Sequence, residues 1–181
     1  LNSATNGGAV YVNISDQNAN ITLDRCVISN NTSRKNGGGL YANDERWNPN
    51  DPENVVLTQC LIGNNACANN GGGVYDRGYN TTFRNCNIVR NAAASHAGGI
   101  YVERGGTMFL NSIIWGNKIA SEHNQIEIEN NRYVTFRNTA LQDSYSGAIT
   151  LQAENSGDGI GYPMFAGPTA EAGVDITNTI G

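Results

Sequence analysis

The sequence predicts an all-β fold in which short strands stack into a parallel β-helix, a solenoid that adds one coil per repeat. Three observations predict it. The composition favours tight bends, two blocks of fixed internal spacing recur along the chain, and apolar residues alternate with polar ones inside the blocks. We expect about five coils of three short strands each, and no long helix.

The composition is rich in residues that tolerate a left-handed backbone. The 181 residues include 28 Asn and 22 Gly, and both types are favoured where strands meet at tight bends. Disordered chains are also polar and rich in glycine. Periodicity therefore has to decide between a disordered chain and a solenoid.

Two blocks recur in order. The first contains small residues, an aliphatic residue and a tyrosine, and the aliphatic residues are Val10, Leu40, Val74 and Ile100, at spacings of 30, 34 and 26 residues. The second reads apolar-x-x-Cys-x-Ile-x-x-Asn over residues 23–31, 57–65, 83–91 and 109–117, with Ser112 replacing cysteine in the last copy. Residues 136–144 form a degenerate fifth copy, and Ile126 and Ile128 precede it as its first strand.

Apolar residues two positions apart indicate strands rather than helices. Stacking equivalent strands in parallel places each inward position in a column, where like residues pack on like. The predicted columns are Val10, Leu40, Val74 and Ile100; Leu23, Leu57, Phe83 and Phe109; Cys26, Cys60, Cys86 and Ser112; and Ile28, Ile62, Ile88 and Ile114.

Polar residues at fixed places predict the bends. Arg25, Gln59, Asn85 and Asn111 stand between the second and third strands, where the chain has to turn. An asparagine ends each third strand, and its amide is able to bond the backbone of the next coil. These asparagines are Asn31, Asn65, Asn91 and Asn117.

The blocks resemble the repeats of the pectin-lyase-like right-handed β-helix superfamily, and most closely those of bacterial surface proteins. The resemblance rests on the Gly-Gly-aliphatic-Tyr openings and on residues 85–91, and Gly7-Gly8-Ala9-Val10 is similar to a motif of chlamydial polymorphic outer-membrane proteins. It implies a right-handed parallel β-helix and leaves function open, because the superfamily contains lyases, hydrolases, adhesins and passive stalks. We expect one domain over residues 1–181, with repeats in 7–144 and an irregular segment in 145–181, and we expect it to be a fragment of a larger chain.

Composition excludes some classes of function. Charged residues make up 15 % of the chain and the net charge is −5, whereas nucleic-acid binding needs clustered Lys and Arg. No apolar run is long enough for a transmembrane helix. We expect no cofactor and no metal, because no paired-cysteine motif occurs and His96 and His123 stand alone in connecting segments.

The candidates for catalysis are few. Asp76 with Arg77, and Glu103 with Arg104, follow the first strands of two adjacent coils, and we interpret them as solvated charge pairs at strand ends. Alternation would point Asp76 inward, so we expect the alternation to lapse there. Cys26, Cys60 and Cys86 are expected to be buried free thiols, with Cys67 in a loop.

The candidate ligand surface is an outward-facing stripe of four tyrosines, Tyr11, Tyr41, Tyr75 and Tyr101, next to an insertion over residues 43–54. The stripe either supports sugar rings or only stabilises the sheet by stacking. In the insertion Trp47 is expected to cover one edge of a ligand, and Asp44, Glu45 and Asp51 to bind hydroxyl groups directly or through a cation. The other interpretation is an idle, solvated loop.

The leading functional hypothesis is a non-enzymatic scaffold or adhesion segment of a secreted or cell-surface protein, associated with an outer membrane. Its expected partners are a polysaccharide or a host or cell-surface protein, with assembly through the solenoid ends as a further possibility. The alternatives are a polysaccharide lyase or glycoside hydrolase, and a subunit of a surface filament. Convergence of carboxylates and a basic residue in one groove would favour the enzyme.

Overall fold

A computed structural model describes residues 2–16, 19–46, 54–129, 132 and 134–142, together with the strands Tyr145–Ser146 and Met164–Ala166. Within this part of the chain every regular element is a β-strand, and the strands stack into a solenoid of about five turns. The predicted all-β parallel β-helix is therefore confirmed.

Four sheets run along the solenoid. The first contains β2 (Val10–Ile14), β6 (Leu40–Asp44), β10 (Val74–Arg77), β14 (Ile100–Val102), β19 (Ile126–Ile128) and β22 (Tyr145–Ser146). The second contains β3 (Ile21–Asp24), β7 (Val55–Thr58), β11 (Thr81–Arg84), β15 (Thr107–Leu110) and β20 (Val134–Arg137). The third contains β4 (Val27–Ser29), β8 (Leu61–Gly63), β12 (Asn87–Val89), β16 (Ile113–Trp115), β21 (Ala140–Gln142) and β23 (Met164–Ala166).

The fourth sheet is made of two-residue strands, which are too short to show a period in the sequence. It contains β1 (Ser3–Ala4), β5 (Thr32–Ser33), β9 (Ala66–Cys67), β13 (Ala92–Ala93), β17 (Lys118–Ile119) and β18 (Glu122–His123). It adds a short strand to the three predicted for each coil. Cys67, which was expected in a loop, lies buried in β9.

The register follows the predicted repeat. Equivalent strands pair in parallel, and Val74 of the third coil lies between Leu40 and Ile100. The degenerate copy forms the fifth coil, because Ile126 pairs with Ile100 and Phe136 pairs with Phe109. Within the described strands the pair β17–β18 alone is antiparallel, with Lys118 opposite His123.

The predicted columns form the interior. Phe83, Phe109 and Phe136 stack with ring centroids 4.9 and 5.3 Å apart. In the column of cysteine and serine side chains, a hydrogen bond joins successive coils, since the Cys86 backbone N–H donates to Ser112 Oγ at 3.1 Å. Cys60, Cys86 and Ser112 are buried and Cys26 is partly buried, and all four cysteines are free thiols.

The bends lie where the sequence predicts them. The residues between the second and third strands have positive φ angles: Arg25 51°, Gln59 54°, Asn85 53°, Asn111 48° and Asn138 47°. The opening block requires small residues for a steric reason. A Cβ atom on Gly72 would lie 2.3 Å from the carbonyl oxygen of Ala92 in the next coil, so a side chain there would separate the coils.

The asparagines that end the third strands form a buried ladder. Asn91 Oδ1 accepts the backbone N–H of Asn65 at 2.9 Å and its side-chain Nδ2–H at 3.1 Å. In turn, Asn91 Nδ2 donates to the carbonyl of Ile62 at 3.0 Å. The same bonds join Asn31 to Asn65 and Asn91 to Asn117. Gln125 takes the place of asparagine at the end of the ladder and accepts from Asn117 at 2.8 and 3.1 Å.

Two substitutions in adjacent inward positions test the register. Cys86→Ser should change the free energy of unfolding by about 1 kcal/mol or less, because Ser112 already fills the same place one coil away with its hydroxyl bonded to the Leu110 carbonyl at 2.8 Å. Ile88→Asp buries a carboxylate among apolar side chains and should cost more than about 3 kcal/mol. Denaturant unfolding of the two variants measures both values, and equal losses would show that Ile88 is not in the core.

Candidate functional site

The four tyrosines stack as a continuous column on the outer side of the first sheet. Ring centroids of successive tyrosines lie 5.1, 5.0 and 5.2 Å apart, and the rings are nearly parallel. Tyr11 is 55 % exposed, but Tyr41, Tyr75 and Tyr101 are only 7–8 % exposed. The expectation of an exposed stripe is therefore wrong for three of the four rings, because each covers the face of its neighbour and Ala97 packs in the same cluster.

Two of the four tyrosine hydroxyls are bound to acidic groups of the following coil. Tyr75 donates to Glu103 Oε2 at 2.5 Å, and Tyr101 donates to Glu129 Oε1 at 2.6 Å. Burial, and then the neighbouring carboxylate, raise the pKa of both phenols well above the ordinary value. These hydroxyls therefore join successive coils.

Asp44 lies in the interior, not on a ligand-facing surface. It is fully buried, and its Oδ1 accepts from Arg46 Nε at 2.9 Å while its Oδ2 accepts from Asn54 Nδ2 at 2.6 Å. Arg46 is also buried and donates to the Asp16 carbonyl at 2.8 Å. The expectation that Asp44 binds ligand hydroxyls is wrong, because Asp44 and Arg46 form a buried ion pair that anchors the base of the insertion.

The other insertion residues divide into two groups. Glu45 is exposed, and its Oε1 accepts from Asn43 Nδ2 at 3.2 Å. Trp47 and Asp51 lie outside the described residues. A ligand contact by Glu45, Trp47 or Asp51 stays a prediction.

Asp76 keeps the strand alternation and points inward. It is fully buried, with Oδ1 accepting from Gly78 N–H and Thr81 Oγ1, both at 2.9 Å, and Oδ2 accepting from Thr107 Oγ1 at 2.8 Å. The expected lapse of alternation is wrong, because these three donors satisfy the carboxylate inside the solenoid. The pKa of Asp76 is raised to about 6 in total. Burial is the largest cause, the three donors oppose it by lowering the pKa, and the charge of Asp44 adds a smaller increase.

The remaining charged candidates connect coils at the surface. Arg77 Nε donates to Glu103 Oε1 at 3.0 Å, and both side chains are partly exposed. Arg104 reaches back two coils, donating to the Asp44 carbonyl at 2.6 Å with its guanidinium 5.7 Å from the centre of the Tyr79 ring. Glu103 and Arg104 therefore do not converge with Asp76 on a common open groove.

The histidines and cysteines show no activated nucleophile. His96 Nδ1 lies 2.8 Å from Glu127 Oε1 on the surface. Burial raises the pKa of the Cys67 and Cys86 thiols to about 11, so both are thiols at neutral pH. Among the described residues, no group of three or more His, Cys, Asp or Glu side chains is placed to hold a metal ion.

Sequence reasoning missed an open groove beside the third sheet. It has a volume of about 520 Å³, and Trp115 lies at its wall. Alternation does place Trp115 outward, since Ile114 before it is buried. The hairpin β17–β18 that completes the groove could not be foreseen, because it lies in a connecting segment without repeat pattern. The lining residues are Arg90, Asn91, Ala92, Trp115, Gly116, Lys118, Ala120, His123 and Gln142.

Residues 9–160 match the family model described as right handed beta helix region. The chain belongs to this right-handed β-helix family. No curated protein and no solved structure matches it. The family fixes the handedness of the coils, and the pectin-lyase-like and surface-protein resemblances stay predictions. The described residues include no helix that could span a membrane.

The buried Asp76 carboxylate should make the stability of this β-helix depend on pH. Its pKa is higher in the fold than the ordinary 3.8, so the fold binds the proton more tightly than the unfolded chain does. This group therefore stabilises most below about pH 4, and its contribution falls as pH rises to about 6, by on the order of 3 kcal/mol. Asp76→Asn removes that dependence, and the melting temperature of the variant relative to wild type should rise between pH 4 and 7.

Thr107→Val supplies the matched comparison. It removes one donor that lowers the Asp76 pKa, so the pH range in which stability falls should extend to higher pH. Thermal unfolding at pH 4, 5, 6 and 7 measures all three proteins. A difference between wild type and Asp76→Asn that stays constant with pH would contradict the buried, titrating carboxylate.

Proposed function

We propose that this chain is a non-enzymatic scaffold segment of a secreted or cell-surface protein, whose β-helix holds other parts of that protein or its ligands at fixed positions. One observation carries the proposal. The charged groups that the sequence offers for catalysis bind residues of other coils instead of converging on an open groove: Asp76, Arg77, Glu103 and Arg104. Membership of the right-handed β-helix family is consistent with a scaffold or a carbohydrate-related protein.

The buried carboxylates supply the main support. A catalytic carboxylate needs access to its substrate, but Asp44 and Asp76 are fully buried. Asp44 is neutralised by Arg46, and three donors from the chain surround Asp76. Both groups hold the corner between the first and second sheets.

The tyrosine column supports the same role. Its rings stack on each other, and the hydroxyls of Tyr75 and Tyr101 bind Glu103 and Glu129 one coil ahead. Stacking and bonding along the axis resist bending and sliding of the coils, which a rigid spacer requires. A ligand would find Tyr11 as the one largely exposed ring of the four.

The proposal includes a location and partners. We place the segment outside the cell or on its surface, associated with an outer membrane, in contact with a polysaccharide or a surface protein. Antibodies raised against the folded domain should label intact cells that express the full-length protein. Labelling that appears only after the cells are permeabilised would contradict the location.

A turnover assay tests the non-enzymatic part. We expect no release of reducing ends or unsaturated products when the folded domain is incubated with uronic-acid polymers and neutral polysaccharides, with and without Ca²⁺. Heat-unfolded domain is the control for contaminating activity. Product above that control, reduced in Arg77→Gln or Arg104→Gln variants that remain folded, would replace the scaffold with a lyase or hydrolase.

A further inference from the structure

The groove at Trp115 is built from three successive coils. Arg90 comes from the third coil, Trp115 and Lys118 from the fourth, and Gln142 from the fifth. The antiparallel pairing of β17 with β18 places His123 opposite Lys118. This hairpin replaces the regular path of the fourth sheet and raises one wall of the groove.

The floor of the groove is held in place by hydrogen bonds. Gln142 Oε1 accepts the backbone N–H of Gly116 at 2.6 Å, and Gln142 Nε2 lies 3.3 Å from His123 Nδ1. Gly116 has a φ of 68°, a backbone conformation that favours glycine, and the side chain of Arg90 packs beside it: a Cβ at Gly116 would be in ordinary contact with Arg90 Cγ at 3.5 Å. A pre-formed polar floor favours a binding site, because little has to be ordered when the ligand arrives.

Two positively charged side chains and an aromatic surface lie side by side in the groove. Arg90 and Lys118 are exposed, and neither has a carboxylate partner within ion-pair distance among the described residues. This contrasts with the chain as a whole, whose net charge is −5. Trp115 is 39 % exposed, so part of its indole ring faces the solvent next to these cations.

We propose that this groove binds a saccharide that carries an anionic group, either a carboxylate or a sulfate ester. The C–H face of a sugar ring packs on the exposed indole of Trp115, while Arg90 and Lys118 bind the anion. Gln142 and His123 bind ring hydroxyls. The volume of about 520 Å³ lies within the usual range for small-ligand sites and accommodates a short oligosaccharide.

This site is separate from the tyrosine column. The column belongs to the first sheet, whereas Trp115 lies on the third. It also goes beyond the scaffold function, because a purely structural rod has no need of cations that lie beside an exposed indole and lack a carboxylate partner in the described part of the chain.

Calorimetric titration of the folded domain with three tetrasaccharides tests the proposal. The probes are a hyaluronan fragment with carboxylates, a chondroitin sulfate fragment with carboxylates and sulfates, and neutral cellotetraose. We expect at least one anionic probe to bind about tenfold or more tightly than the neutral one. Binding of the hyaluronan fragment assigns the carboxylate, and binding of the sulfated fragment alone assigns the sulfate.

Variants separate the groove from general electrostatics. Arg90→Gln with Lys118→Gln should weaken binding at least about tenfold, and Trp115→Ala should do so independently. The matched control is Arg34→Gln with Lys35→Gln, which removes the same charge from exposed positions in the loop after β5, and it should retain full affinity. Tyr11→Ala is the aromatic control and should also retain it.

Three results would overturn the proposal: no binding of either anionic probe, equal binding of the neutral probe, or equal losses in the charge variant and its control. The charge variant alters only exposed side chains, so it stays informative even if Trp115→Ala unfolds. Thermal unfolding of each variant accompanies the titrations.

Discussion

The buried asparagine ladder is the interaction on which the other features of the β-helix depend. At the end of each third strand the chain turns inside the solenoid, and its backbone polar groups leave the strand pairing. Buried backbone groups without partners are costly. Asn65 and Asn91 supply those partners, each accepting from the previous coil through Oδ1 and donating to a strand carbonyl through Nδ2. Because every step of the ladder joins two coils, it also fixes their register.

Once the register is fixed, like residues meet along the axis. The phenylalanine column fills the interior, and the tyrosine column covers the outer side of the first sheet. The same stacking brings Asp76 under Thr107 of the next coil, which makes a buried carboxylate tolerable. Polar residues inside this solenoid therefore hold successive coils together by hydrogen bonds, and the scaffold function proposed for the chain depends on those bonds.

Sequence reasoning predicted the features that depend on local spacing. The columns, the bends at Arg25 and Asn85, and the fifth coil all follow from the period-two pattern and the constant block length. Sequence reasoning failed where the surroundings of a residue are formed by segments that are distant in the sequence. Alternation places Tyr75 on the outer side of its strand but does not show that stacked rings bury it. Likewise, nothing near Asp44 in sequence reveals that Asn54, ten residues later, shares its carboxylate.

The candidate site shows the same limit. Alternation places Trp115 on the outer side of its strand, but the groove beside it depends on a hairpin in an irregular segment and on Gln142 from the next coil. Repetition specifies the solenoid, whereas departures from repetition create its individual surfaces. Binding sites in such proteins are therefore best sought where a coil is interrupted.

Unfolding of three asparagine variants tests the ladder most directly. Asn91→Ala removes partners of Asn65, Ile62 and Asn117 in a fully buried place and should cost about 2–5 kcal/mol in the free energy of unfolding. Asn91→Asp keeps the shape but loses the two side-chain donor bonds, so it should also be strongly destabilising at neutral pH. Asn87→Ala, at an exposed position of β12, should change stability by less than about 0.5 kcal/mol. Equal, small changes in all three variants would contradict the dependence of the fold on the ladder.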